Sequence, residues 1–464
     1  MRSGCFIKRF GLLFWLLFQI SFTYSQAKLQ RFSKGEIIDS VICITQNNQS
    51  YALYLPVEYD TARKWPVLFI FDPAARGRLG ASVFKDGAER FGYLLLCSNN
   101  SSNKSVEGSY RAAEAIIGDA IKRYSVDTSR MYTAGFSGGS RFALRFALKN
   151  SQIKGVIGCG AGLPNETEPV TISQQPLYYY GIVGNRDLNL QDLIKSHERI
   201  SELGAVSHLQ IVEGGHMWPP EEELTLALAW LNIMGGGAED SIVRYYTGAR
   251  MNQVDEFLKN SNYLDAVLLM ESLTAEFPSF GEKEDIELLK QEKLYKKQEK
   301  ARSAAYQREL QKRELYFNAF AVLNYSTPVR PDTVYTPQWW KREVQLLKRW
   351  ENSRNIETSL MGSRLLNMIE IYCAESLWSY VVLEQNNKAL FILDLWMLVT
   401  PDKLWADWNA AKLYAALGER KRALQYVQKV VLSGVAKQEW FNTTPEFESL
   451  RSDPGFLELM KLVE

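Results

Sequence analysis

The chain is poor in the residues from which metal centres and disulfide scaffolds are built. It has only five cysteines and three histidines in 464 residues. Cys5, Cys43, Cys97, Cys159 and Cys373 stand far apart, with no C-x-x-C pair, which speaks against a zinc motif and against a dense disulfide framework. No metal and no cofactor is therefore expected. Net charge is also missing: 54 basic residues against 53 acidic ones leave a formal +1. That balance gives no electrostatic reason to expect a nucleic acid as partner. The apolar run Phe10 to Phe22 is too short for a membrane span. With Arg2, Lys8 and Arg9 before it and the small Thr23 and Ser25 after it, residues 1–25 read instead as a cleavable secretory signal. The mature protein is then secreted or periplasmic, with no transmembrane span after signal removal; an uncleaved anchor is the alternative. Cys5 precedes the apolar run, so it is not placed for lipid attachment. The other four cysteines read as buried free thiols, with one bridge left open by an oxidising compartment.

What the chain does have is Gly135-Phe136-Ser137-Gly138-Gly139, set between the apolar run Met131 to Ala134 and the helix-like run Arg141 to Leu148. A G-x-S-x-G at a strand-to-helix turn is the setting of a nucleophile elbow, where a strained backbone exposes a serine and small neighbours avoid a Cβ clash. Asp187 follows at the end of the β-type run Tyr178 to Val183. His216 lies in Gly214-Gly215-His216-Met217-Trp218-Pro219, after the last expected strand. In this order Ser137, Asp187 and His216 make a nucleophile, an orienting carboxylate and a general base. His197, in the middle of a helix, and His208, at the start of a strand, are expected to be surface or edge residues. The N–H of Gly138 is the first expected donor to a tetrahedral oxyanion.

Strands expected at Ser40–Thr45, Ser50–Tyr59, Val67–Phe71, Tyr93–Cys97, Arg130–Ala134, Val156–Cys159, Tyr178–Val183 and His208–Val212 alternate, from the third onward, with helices. That alternation predicts an α/β domain over residues 26–234, with a mostly parallel sheet and helices on both faces. Gly235-Gly236-Gly237 opens a flexible linker, 235–240, and residues 241–464 are helical in character. Around Ala266, Ala389 and Ala423 this helical part resembles tetratricopeptide repeats, and a plain helical bundle is the alternative. Such repeats offer a surface for a protein partner. The charge-dense stretch Glu282 to Glu314 reads as a long solvated helix, and Trp339, Trp340 and Trp350 as core.

On these motifs, residues 40–233 resemble the α/β-hydrolase superfamily, and most of all secreted esterases of the poly(3-hydroxybutyrate) depolymerase type. The resemblance rests on Gly135 to Gly139 and on Gly215-His216-Met217-Trp218-Pro219. It implies a serine hydrolase that cleaves carboxylic esters through an acyl-enzyme. Where those families carry His-Gly-Gly after the third strand, this chain has Asp72-Pro73-Ala74-Ala75-Arg76-Gly77. Pro73 has no N–H, so Ala74 becomes the candidate second oxyanion donor. No long apolar lid is visible, which ranks short-chain esters, including acyl groups on carbohydrate, above long-chain lipids. Two alternatives stay open: a serine peptidase of the prolyl oligopeptidase kind, and an inactive hydrolase domain serving a repeat-based interaction protein.

Overall fold

A computed structural model describes residues 32–163, 171–172, 176–278, 283–325, 335–400 and 403–463. The expected signal segment, 1–25, lies outside them. Eight strands form one sheet: β1 (Ile37–Ile42), β2 (Ser50–Tyr54), β3 (Trp65–Phe71), β4 (Leu94–Ser98), β5 (Val126–Phe136), β6 (Ile153–Cys159), β7 (Tyr178–Gly184) and β8 (Val206–Val212). Their order is β1-β2-β4-β3-β5-β6-β7-β8. β1 pairs antiparallel with β2 and β2 with β4, whereas β3 runs parallel to β4 and β5, and β5 to β6. This is the mostly parallel sheet expected from the alternation of strands and helices. All seven residues of β3, Trp-Pro-Val-Leu-Phe-Ile-Phe, are buried. A continuous apolar run of that kind belongs to a strand covered on both faces.

The covering helices are α1 (Gly77–Phe91), α2 (Val106–Arg123), α3 (Gly138–Lys149), α4 (Leu190–Glu202) and α5 (Glu221–Met234). Local signals set their ends. The Ser105 hydroxyl accepts the Gly108 N–H at 2.9 Å to start α2, and Gly92, at φ 72°, ends α1 in the left-handed conformation. After α5 the three glycines form a hydrogen-bonded cap, with Gly235 N–H on Leu231 O and Gly237 N–H on Asn232 O, rather than a free tether.

The rest is all-helical: α6 (Asp240–Lys259), α7 (Tyr263–Glu276), α8 (Lys283–Gln291), α9 (Lys293–Tyr325), α10 (Pro337–Glu351), α11 (Ile356–Val382), α12 (Asn386–Val399), α13 (Lys403–Ala416), α14 (Arg420–Leu432), α15 (Gln438–Thr443), a 3-10 turn at Pro445–Leu450, and α16 (Pro454–Met460). Its core includes Trp340, Met361, Leu365, Ile392, Leu393 and Ala410. Ala266, Ala389 and Ala423 are fully buried, so small residues let these helices approach closely. The stretch expected as one solvated helix divides into α8 and α9. On α9, Glu309 is completely buried and Arg313 nearly so. Its alternating charges hide the fact that two of them face inward.

The chain separates into two compact units. The first comprises residues 1–181, 196–208 and 218–243; the second comprises 182–195, 209–217 and 244–464. The ends of β7 and β8, with the loops that follow them, thus belong with the helices of the C-terminal region.

Candidate active site

In the first unit β5 runs into α3 through Ser137, whose backbone sits at φ 52° and ψ −122°. A β-carbon pays for positive φ, and a non-glycine residue held there at a strand-to-helix turn is the mark of a strained elbow. The crowding around it explains its glycines. A Cβ on Gly135 would lie 2.3 Å from the Gly139 carbonyl, and one on Gly139 would lie 2.0 Å from the carbonyl oxygen of Phe71. The Ser137 N–H donates to Cys159 O at 2.8 Å, and its carbonyl accepts from Arg141 N–H at 3.1 Å, so both flanks of the turn are pinned. Gly138 opens the first turn of α3, where unpaired N–H groups and the helix dipole favour negative charge.

Asp187 and His216 meet in the second unit. His216 Nδ1 lies 3.0 Å from Asp187 Oδ1 and 2.9 Å from Oδ2. The carboxylate can only accept, so Nδ1 is the donor of this pair. Asp187 is buried, with a side-chain exposure of 1%, against 10% for His216. The carboxylate also accepts the Asn189 N–H at 2.8 Å, a turn at the start of α4 that holds its orientation. The two loops are joined to each other: Asn185 N–H donates to Val212 O and Arg186 N–H to Gly214 O, each at 2.8 Å. Gly184 allows this approach, because a Cβ there would lie 2.4 Å from Gly214 O.

The other two histidines belong to the first unit. His197 Nδ1 lies 2.6 Å from Ser207 Oγ, on the helix and strand that carry the two residues. His208, expected at the surface or an edge, is fully buried and stacks on Tyr180 with ring centres 4.5 Å apart. Its strand ends the sheet order, but Tyr180 and Trp230 cover its ring. Cys43, Cys97, Cys159 and Cys373 are free and buried. Burial, aided by Asp119, pushes the Cys43 thiol up to about 11, and burial raises the other three as well. None of the four therefore offers a thiolate nucleophile. Among the described residues no group of His, Cys, Asp and Glu is arranged to hold a metal, and no helix is long and apolar enough to cross a membrane.

The loop after β3 holds what the sequence reading missed. Asp72 is fully buried and accepts from Arg76 Nε and Nη2, both at 2.9 Å, and from Trp218 Nε1 at 3.1 Å. Burial pushes its carboxyl up, but the hydrogen bonds from Arg76, Ala74 and Trp218 outweigh this and hold it below the ordinary carboxylate value. The Ala74 N–H is one of those donors, at 2.9 Å from Asp72 Oδ1, so it is engaged rather than pointing at open space. Trp218, two residues beyond His216, packs on Phe136 and Phe84. Asp72 was visible in the sequence, but its partner Trp218, 146 residues away, was not. Asn103 was also missed. A Cβ on Gly138 would lie 1.8 Å from Asn103 Oδ1, so this carboxamide sits against the first turn of α3.

No family model matches the chain. No curated protein matches it either. Several solved structures are similar to part of it. Esterase PE8 is 16% identical, with the alignment covering 40% of this chain and 98% of that one at a TM-score of 0.33. A ferulic acid esterase is 17% identical over 42% of this chain and 97% of its own, with a TM-score of 0.35. An S-formylglutathione hydrolase from Staphylococcus aureus is 13% identical over 42% and 96%, with a TM-score of 0.36.

Proposed function

We propose that this protein is an exported serine hydrolase that cleaves carboxylic esters through an acyl-enzyme. The reading is carried by the Asp187 carboxylate, which grips His216 Nδ1 through both oxygens at 2.9 and 3.0 Å. A buried carboxylate on one imidazole nitrogen fixes the tautomer that makes the other nitrogen a base. The strained φ of 52° at Ser137 supports the matching role of nucleophile.

Ser137 Oγ attacks the acyl carbon while His216 Nε2 takes its proton, and Asp187 stabilises the imidazolium that results. The carbonyl oxygen becomes an oxyanion, bound by the Gly138 N–H. The Ala74 N–H joins it by exchanging Asp72 Oδ1 for the more concentrated negative charge. Collapse breaks the ester bond, and His216 returns the proton to the leaving alkoxide. Water then attacks the acyl-enzyme by the same route, releasing the acid and restoring Ser137. The substrate is a short-chain ester, including acyl groups on carbohydrate, a ranking supported by the lack of a long apolar lid in the sequence. Residues 1–25 are removed on export to the periplasm or beyond, and the tetratricopeptide-like helices of 241–464 are available to a protein partner.

A panel of p-nitrophenyl esters from acetate to palmitate, acetylated and feruloylated sugars, and aminoacyl p-nitroanilides tests the reading. Turnover of short esters that is lost in Ser137→Ala is expected. Preference for the anilides would make the enzyme a peptidase, and no turnover of any member would argue for an inactive domain.

A further inference from the structure

The acid loop is held by charged side chains whose partners lie far along the chain. Arg364 on α11 is 1% exposed and Glu309 on α9 is fully buried, and the two form an ion pair. Arg364 donates from Nε at 3.1 and 2.9 Å and from Nη2 at 2.7 Å to the Glu309 carboxylate. Its remaining terminal nitrogen, Nη1, donates to the backbone carbonyl of Asn185 at 2.8 Å. Asn185 stands two residues before Asp187, and its own N–H and side chain join the base loop at Val212 O and Gly214 N–H. On the other side of Asp187, Arg313 on α9 donates to the Leu188 carbonyl and reaches Asp192 at 3.4 Å. Tyr306, about two turns earlier on α9 than Arg313, packs with Val183, Leu190, Leu193, Leu209 and Ile211.

A fully buried ion pair is a poor device for stability alone. Its desolvation offsets most of the attraction, and well-packed apolar side chains of similar size do as well or better. What apolar side chains cannot do is aim a donor at one carbonyl. The guanidinium is planar, so pairing with Glu309 along one edge fixes the direction in which Nη1 points. Two consecutive guanidinium contacts thus bracket Asp187, at residues 185 and 188.

We propose that Arg364, oriented by Glu309, is a positioning residue for the Asp187–His216 pair. The C-terminal helices are then part of the catalytic scaffold and not only a partner-binding appendage. The inference rests on the triad reading above, because it gives Asp187 a role worth positioning. Arg364 touches neither substrate nor the reacting atoms; it acts through Asn185.

The test uses the full-length chain and p-nitrophenyl acetate. Arg364→Met together with Glu309→Met removes both charges, so neither is left buried and unpaired. Arg364→Lys keeps the charge but replaces the two-edged guanidinium by a single ammonium, which cannot serve Glu309 and Asn185 in the same geometry. Both variants are expected to unfold within a few degrees of the parent. kcat should fall about 10- to 100-fold, the scale of a roughly 1 Å misplacement, with KM within about twofold. The acid limb of the kcat/KM profile should move to lower pH, because a displaced carboxylate stabilises the imidazolium less. In an Asp187→Asn background the same changes should add little further loss, since the group they position is already disabled.

Unchanged kcat and pH profile in the folded variants would overturn the proposal. So would equal losses with and without Asp187, which would mark a general packing effect. Failure of both variants to fold would also overturn it, by showing that the pair holds the fold. The triad reading fails differently: Asp187→Asn would then retain activity, whatever Arg364 does.

Discussion

Replacing Gly135 by alanine adds one methyl group to the elbow and nothing else. The new Cβ would lie 2.3 Å from both the C and O of Gly139 and 2.7 Å from the N of Ser140, all of them backbone atoms. Ordinary contacts of this kind begin near 3.4 Å, so the strand and the helix of the turn must part by about 1 Å. A 1 Å displacement at a catalytic group costs about 100-fold in rate, and forced overpacking costs about 1–3 kcal/mol in stability. Gly118→Ala is the matched control. Gly118 lies inside α2 with nothing within 4 Å of its missing Cβ. There alanine should stabilise by about 0.5–1 kcal/mol through helix propensity and leave kcat unchanged. Both variants would be followed by thermal unfolding and by kcat and KM on p-nitrophenyl acetate. If Gly135→Ala kept full kcat, the elbow would not be the strained, close-packed turn on which the nucleophile assignment rests.

Three further outcomes follow from the geometry. Ser137→Ala should lower turnover by about 10⁴-fold or more while the unfolding temperature stays near that of the parent; comparable residual turnover would point to another nucleophile. Asp72, whose folded carboxyl is held below its ordinary value, contributes stability that is complete above the ordinary carboxylate range and is lost as pH falls through the lowered folded value. Asp72→Asn should therefore cost about 1.5–3 kcal/mol near neutrality through weakened charged hydrogen bonds and flatten the acid limb of stability against pH; an unaltered acid limb in urea titrations at pH 2 to 7 would refute this. His208→Ala should lower the unfolding temperature, because its ring is fully buried on Tyr180, yet leave kcat within about twofold. Loss of kcat beyond the loss of folded protein would contradict that.

The local features of the site were legible because local constraints write them. Gly135 and Gly139 sit where backbone approach forbids a side chain, and Gly138 where the Asn103 carboxamide does; the strand-rich alternation up to Met234 follows the periods of strand and helix. Asp187 and His216 could be matched by chain order alone. The buried side of α9 was not legible, since Glu309 and Arg313 lie among exposed charges of the same kinds and their burial depends on Arg364, Leu188 and Asp192 far away in sequence. Asp72 went unassigned for a similar reason: in sequence it is only a departure from His-Gly-Gly, and its meaning comes from Arg76 and Trp218. His208 does lie on the last strand of the sheet, but its burial, made by Tyr180 and Trp230, was not legible.

The central claim is that Ser137 is a covalent nucleophile activated by His216. A fluorophosphonate probe added to the full-length protein, followed by proteolysis and mass spectrometry, addresses it directly. One adduct on Ser137, absent in His216→Ala or formed far more slowly there, is the predicted result. An adduct on any other residue, or labelling of Ser137 at the same rate without His216, would contradict the account.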